Sequence, residues 1–180
     1  MDPYIATGVN PAAIYAAAYA AMNPAPAAPA VREPTPLERA DALLMYGEPK
    51  AAAEAYRKYL EDAPGDAAPM RSLAVALLQQ RRFDEAVAVM AMAYEREPRL
   101  ARTAIDPLFF EDSANLRKSV NAMVTYANRV NSASSWMTVA TLMQAEERDD
   151  VALRMIERAK DLGLSATVVD QFTDVLKKSN

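Results

Sequence analysis

From residue 37 onward the apolar positions of this chain recur at three- and four-residue spacing, the period of helices that bury one face. Met70, Leu73, Ala74, Leu77 and Leu78 form the plainest stripe, and helix breakers fall between such stripes. A first helix is predicted from about Leu37 to Tyr46, stopped by Gly47, which is free to take the left-handed conformation that closes helices. Pro49 can open a second helix, because a first-turn amide has no intrahelical partner to lose. That helix runs to about Ala63, ahead of Pro64-Gly65-Asp66. A second pair is predicted over about 67–80 and 83–97, closed by Pro98.

The pattern also repeats. Pro64 and Pro98 lie 34 residues apart, as do Leu43 and Leu77, Gly47 and Arg81, Ala52 and Ala86, and Tyr56 and Met90. Alanine, a large apolar residue four later, and a closing proline at that period describe a helix–turn–helix unit. Trp136, Val139, Ala140, Met143, Ala152, Ile156 and Ala159 make a further unit beginning near Ala133. The stretch 101–132 departs from the pattern. It keeps only the second-helix positions Val120, Val124 and Ala127, and Pro107 falls where a first helix would run. The expectation there is a short turn of helix, an irregular stretch at Asp106–Asp112 and one helix from about Ser113 to Arg129. After Gly163, Ser165 can cap a final helix with Val168, Val169, Phe172, Val175 and Leu176 inward. Such a helix would shield the last apolar face of a stack.

These residues resemble the tetratricopeptide repeat family. Units about 33–66 (Ala40, Leu43, Gly47, Ala52, Tyr56, Pro64) and 67–100 (Met70, Leu73, Ala74, Leu77, Ala86, Met90, Ala93, Pro98) match in one register. Unit 101–132 is degenerate, unit 133–164 matches again, and 165–180 is the cap. The resemblance implies an all-α, right-handed solenoid of about three to four helix pairs spanning 37–180. It implies no catalysis, and a scaffold or adaptor that binds proteins within a larger assembly. The alternative is a small repeat-type chaperone sheltering an apolar segment of one client. In this family the inward residues of each first helix line a concave groove. Here those positions are Leu37, Asp41, Leu44 and Met45, then Arg71, Val75, Leu78 and Gln79, then Met137, Thr141 and Gln144. The lysine and asparagine that clamp a terminal carboxylate in chaperone-tail adaptors are replaced by Leu37 and Asp41, then by Arg71 and Val75. The expected groove is therefore apolar, either suited to an amphipathic helix or an extended apolar peptide or covered by the protein's own arm.

Ahead of the repeats lie an arm, 1–22, and a linker, 23–36, whose five prolines favour an extended, semi-rigid spacer. Tyr15, Tyr19 and Met22 fall at i, i+4 and i+7 on a candidate helix from Pro11 to Met22, with Ile14 beside them. Together with Tyr4 and Ile5 they make an apolar face expected to dock on protein, in cis or in trans, self-association among the trans cases.

Composition narrows the chemistry. The 180 residues include no cysteine and no histidine, which removes thiolate and imidazole metal sites and histidine-based catalysis. No cofactor and no metal are expected. A net charge of −4 and no evident basic stripe argue against nucleic acid. The start Met-Asp-Pro is unlike a secretory leader, and Ala12–Met22 is too short to cross a bilayer, so no membrane insertion and a cytoplasmic location are expected. Arg96, Arg99 and Arg102 read as a solvated face, Trp136 as core, and Phe109-Phe110 as filling the broken unit. Glu146-Glu147 with Asp149-Asp150 reads as a solvated turn in which Asp149 or Asp150 caps a helix.

Overall fold

The computed structural model describes residues 32–109 and 112–178. Among the described residues there are eight α-helices and no strand. The helices are α1 (Pro36–Met45), α2 (Pro49–Asp62), α3 (Ala67–Gln79), α4 (Phe83–Arg96), α5 (Ser113–Val130), α6 (Ala133–Ala145), α7 (Asp149–Asp161) and α8 (Ala166–Leu176). Two 3-10 turns, Pro98–Arg102 and Asp106–Phe109, stand between α4 and α5. The arm residues Tyr4, Ile5, Ile14, Tyr15, Tyr19 and Met22, and Phe110, lie outside the described residues.

Local chemistry explains where these helices start and stop. Thr35 and Glu38 form a reciprocal cap at α1: the Thr35 amide donates to Glu38 Oε2 at 2.7 Å, and the Glu38 amide to Thr35 Oγ1 at 3.2 Å. Ser132 and Ser135 do the same for α6, and Ser165 accepts from the Val168 amide at the head of α8. Neither Asp149 nor Asp150 caps α7. Arg148 occupies the cap position without a side-chain bond, and the two acids sit in the first turn, where they favour the helix dipole.

The turns α1–α2, α3–α4 and α6–α7 are built alike. Gly47, Arg81 and Glu147 all take positive φ, at 73°, 61° and 57°. The amide that follows each one donates back to Leu43, Leu77 and Met143 respectively. The core follows the same register. Ala52, Ala86 and Ala152 are each fully buried, as are Tyr56, Met90 and Ile156 four residues later.

The broken unit has another form. Pro107 and a lost helical period leave the chain from Pro98 to Phe109 as two short turns. The first packs on α4 and α8, and the second touches α1 and α5. With no helix in that place, α6 packs directly against α4. Tyr94 of α4 meets Phe172 of α8 with ring centroids 5.1 Å apart.

Candidate interaction surface

Helices α3 and α6 should present one side to a concave groove, yet both are buried on nearly every side. Ser135 through Ala145 are all buried, as is every residue of α3 from Pro69 to Leu78. The sequence carries the reason. Helix α3 (AAPMRSLAVALLQ) has one charged residue and α6 (ASSWMTVATLMQA) has none. A helix that is apolar all round must be covered all round.

Part of the cover is the chain's own segment 98–109, a strap that runs from α8 to α1. It buries Leu100, Ala101, Ile105 and Phe109. Arg71 of α3 donates through Nη1 to the carbonyls of Leu100 at 2.8 Å and Thr103 at 2.7 Å. Gln144 of α6 donates to the carbonyl of Ala101 at 3.0 Å. Two of the expected groove positions thus hold the backbone of an internal segment. Tyr94 is buried beside them. Desolvation pushes its phenol above the ordinary value, while Arg71 and Thr141 pull the other way. Neither meets hydrogen-bond geometry with Tyr94, and Arg71 Nε and Gln144 Oε1 also lack a partner in this cluster.

The expectation of an open apolar groove is corrected accordingly. Leu44, Val75, Leu78, Met137 and Thr141 are core, at most 2% exposed. Arg71 and Gln144 hold the strap. Asp41 accepts from the buried Tyr56 hydroxyl at 2.6 Å, and burial first, then this bond, raises that phenol above its usual value. Leu37 and Gln79 are half-buried. Met45 alone of the set is well exposed, at 54%, next to Tyr46 at 79%. Burying Leu100, Ile105 and Phe109 contributes roughly 5–9 kcal/mol at about 1.5–3 kcal/mol per large apolar side chain. That is comparable with the whole stability of a small domain, so the strap belongs to the core and is not a loose occupant.

Other features fall where their residue types lead. Trp136 is buried, donates to Asn131 Oδ1 at 3.0 Å and carries the Arg158 guanidinium 3.7 Å over its ring. Arg96, Arg99 and Arg102 are exposed. Glu146 is not freely solvated: its side chain is 11% exposed, beside Arg117 and Arg148. Among the described residues no helix is long and apolar enough to cross a membrane.

Residues 43–104 match the model of the tetratricopeptide repeat family, and that match supports the repeat assignment for this part of the chain. The match runs from the end of α1 through α4 and ends inside the strap. No curated protein matches the chain. Tetratricopeptide repeats generally mediate contacts between proteins, and that general role is the one the fold supplies.

Proposed function

We propose that this protein is a non-catalytic scaffold or adaptor within a larger assembly, and that the arm 1–22 is its principal attachment to a partner or to a second copy. The observation that carries the reading is the filled concave face. A repeat array whose inner helices already hold an internal strap has little open inner surface to offer. The remaining sequence feature built for contact is the arm, with one charged side chain, Asp2, among Tyr4, Ile5, Ile14, Tyr15, Tyr19 and Met22. An apolar face of that kind is stabilised by burial against protein. On the repeat body, Met45 stays exposed at the first-helix positions and Leu37 and Gln79 stay half-buried. The same filled face favours a scaffold over a chaperone, since a client segment would have to displace the strap.

The test is affinity capture of the tagged full chain, with partners quantified by mass spectrometry and self-association by analytical ultracentrifugation. Tyr15→Ser with Tyr19→Ser should lose a stoichiometric partner or the self-associated species while the helical circular dichroism stays unchanged. Undiminished association in that variant overturns the arm as the attachment.

A further inference from the structure

Helix α5 differs from the rest of this acidic chain. Its 18 residues include Arg117, Lys118 and Arg129 and no acid. Lys118, Ala122, Thr125 and Arg129 follow one another at four-, three- and four-residue steps, so they lie along one stripe of the helix. Lys118, Thr125 and Arg129 are exposed and Ala122 is half-buried. At its C-terminal end the stripe meets the α3–α4 turn. There Arg81, Phe83, Ala122, Thr125, Tyr126 and Arg129 line an open cleft of about 290 Å³. Its floor is the tilted pair Phe83 and Tyr126, ring centroids 5.4 Å apart, with the Arg129 guanidinium 5.5 Å from the Tyr126 ring.

The nearby carboxylates are already engaged. Asp84 accepts from the Tyr126 hydroxyl at 2.6 Å. Glu85 is held by Arg82 at 2.7 Å and by Arg57 at 3.0 Å. Arg81, Lys118 and Arg129 have no ion pair among the described residues. Arg81 also holds the left-handed conformation, φ 61°, at the turn position where the first unit has Gly47. In the last unit the same position carries an acid, Glu147, so the positive charge belongs to this turn and not to the turn geometry.

We infer that the α3–α4 turn and the outer stripe of α5 form a docking surface for an acidic segment of a partner protein. Carboxylates of that segment meet Arg81, Arg129 and Lys118, and an apolar side chain between them rests on Phe83 and Tyr126. The surface is exposed, so each ion pair is weak and screened by salt, and the contact is a transient one. The inference does not rest on the arm, and its success or failure leaves the arm reading untouched.

Fluorescence anisotropy of a labelled peptide Glu-Glu-Leu-Phe-Glu-Glu titrated with the full chain at low ionic strength tests this. Binding should weaken as salt is raised, and the glutamine analogue Gln-Gln-Leu-Phe-Gln-Gln should not bind. Arg81→Gly with Arg129→Gln should weaken binding by roughly tenfold. The melting temperature should be preserved, because glycine suits the turn and Arg129 is exposed. If that variant melts early, Lys118→Gln, at the far end of the stripe, decides: weaker binding supports the surface and unchanged binding overturns it. Equal binding of the glutamine analogue, or wild-type affinity in a folded double variant, overturns it too. So does binding to phosphatidylserine vesicles without binding to the peptide.

Discussion

The regular pair α3–α4 and the broken stretch 98–130 occupy consecutive places in one register and solve the same packing problem differently. In the regular pair, two helices with apolar faces at helical period bury each other and leave an inner surface for the next unit. In the broken stretch one helix is missing. Pro107 cannot sit inside a helix without a lost bond and a clash, so Ala101, Ile105 and Phe109, although spaced four apart, are not gathered on one continuous helix. They are buried nonetheless, as a strap across the inner helices. A degenerate repeat is here not a gap in the array. It converts an inner surface that could meet a partner into core.

The comparison breaks most visibly if the strap proves separable. Leu77→Ala in the regular pair and Ile105→Ala in the strap each remove a buried aliphatic side chain that is at most 1% exposed. Both should cost about 2–5 kcal/mol, by denaturant unfolding. A cost for Ile105→Ala well below 1 kcal/mol, beside a full cost for Leu77→Ala, would show that the strap is a weakly held occupant of an available groove.

Arg71 sharpens the same point with a smaller effect. Its hydrogen bonds to the Leu100 and Thr103 carbonyls are charge-assisted, each contributing about 1.5–3 kcal/mol, but burying the guanidinium without a carboxylate offsets part of that. Arg71→Met should therefore change global stability by less than that sum while raising amide hydrogen exchange in 98–109 selectively. Unchanged exchange there would mean that packing alone holds the strap.

Much of this was legible beforehand. Breakers at Gly47, Pro49, Pro64 and Pro98 mark the helix ends to within a residue or two, because each acts through local backbone chemistry, and Pro107 marks the place where no long helix forms. The inner face was not legible from the same signals. Reading Val75, Leu78, Met137 and Thr141 as groove residues assigns them by register to a place that stays open only if a helix follows. The contrary signal was present in the nearly uncharged α3 and α6 and in the unassigned apolar residues of 98–109. The basic stripe of α5 was hidden by the chain's net negative charge, since nothing in the composition separates one helix from the rest.

Alkaline pH should act on both regions together. Tyr56, in the regular part, and Tyr126, on α5, have phenols raised first by burial and then by bonds to Asp41 and Asp84, and Tyr94 is raised by burial. A phenol whose folded value lies above its unfolded one keeps its proton in the folded state after the unfolded chain has lost it. The stability it contributes is complete below about pH 10 and falls as pH rises through the folded value. Tyrosinate absorbance should therefore rise in two stages, the second coincident with loss of helical circular dichroism. A single stage completed while the helices remain intact would contradict the burial of these three rings.

The smallest effect lies in the three equivalent turns, which keep the register on both sides of the break. Gly47 takes φ 73° with nothing within 4 Å of an added Cβ, so Gly47→Ala meets only the backbone penalty of the left-handed region. That penalty is about 1–2 kcal/mol, set against about 0.4–1 kcal/mol gained because alanine restricts the unfolded chain. The net loss should be about 1 kcal/mol or less. Glu147→Gly runs the argument backwards at φ 57° on an exposed side chain, and should gain a similar small amount. Opposite signs in the two thermal melts would establish that the turns α1–α2 and α6–α7 share one geometry despite the interrupted unit between them. The same sign in both would detach the last unit from the register of the first.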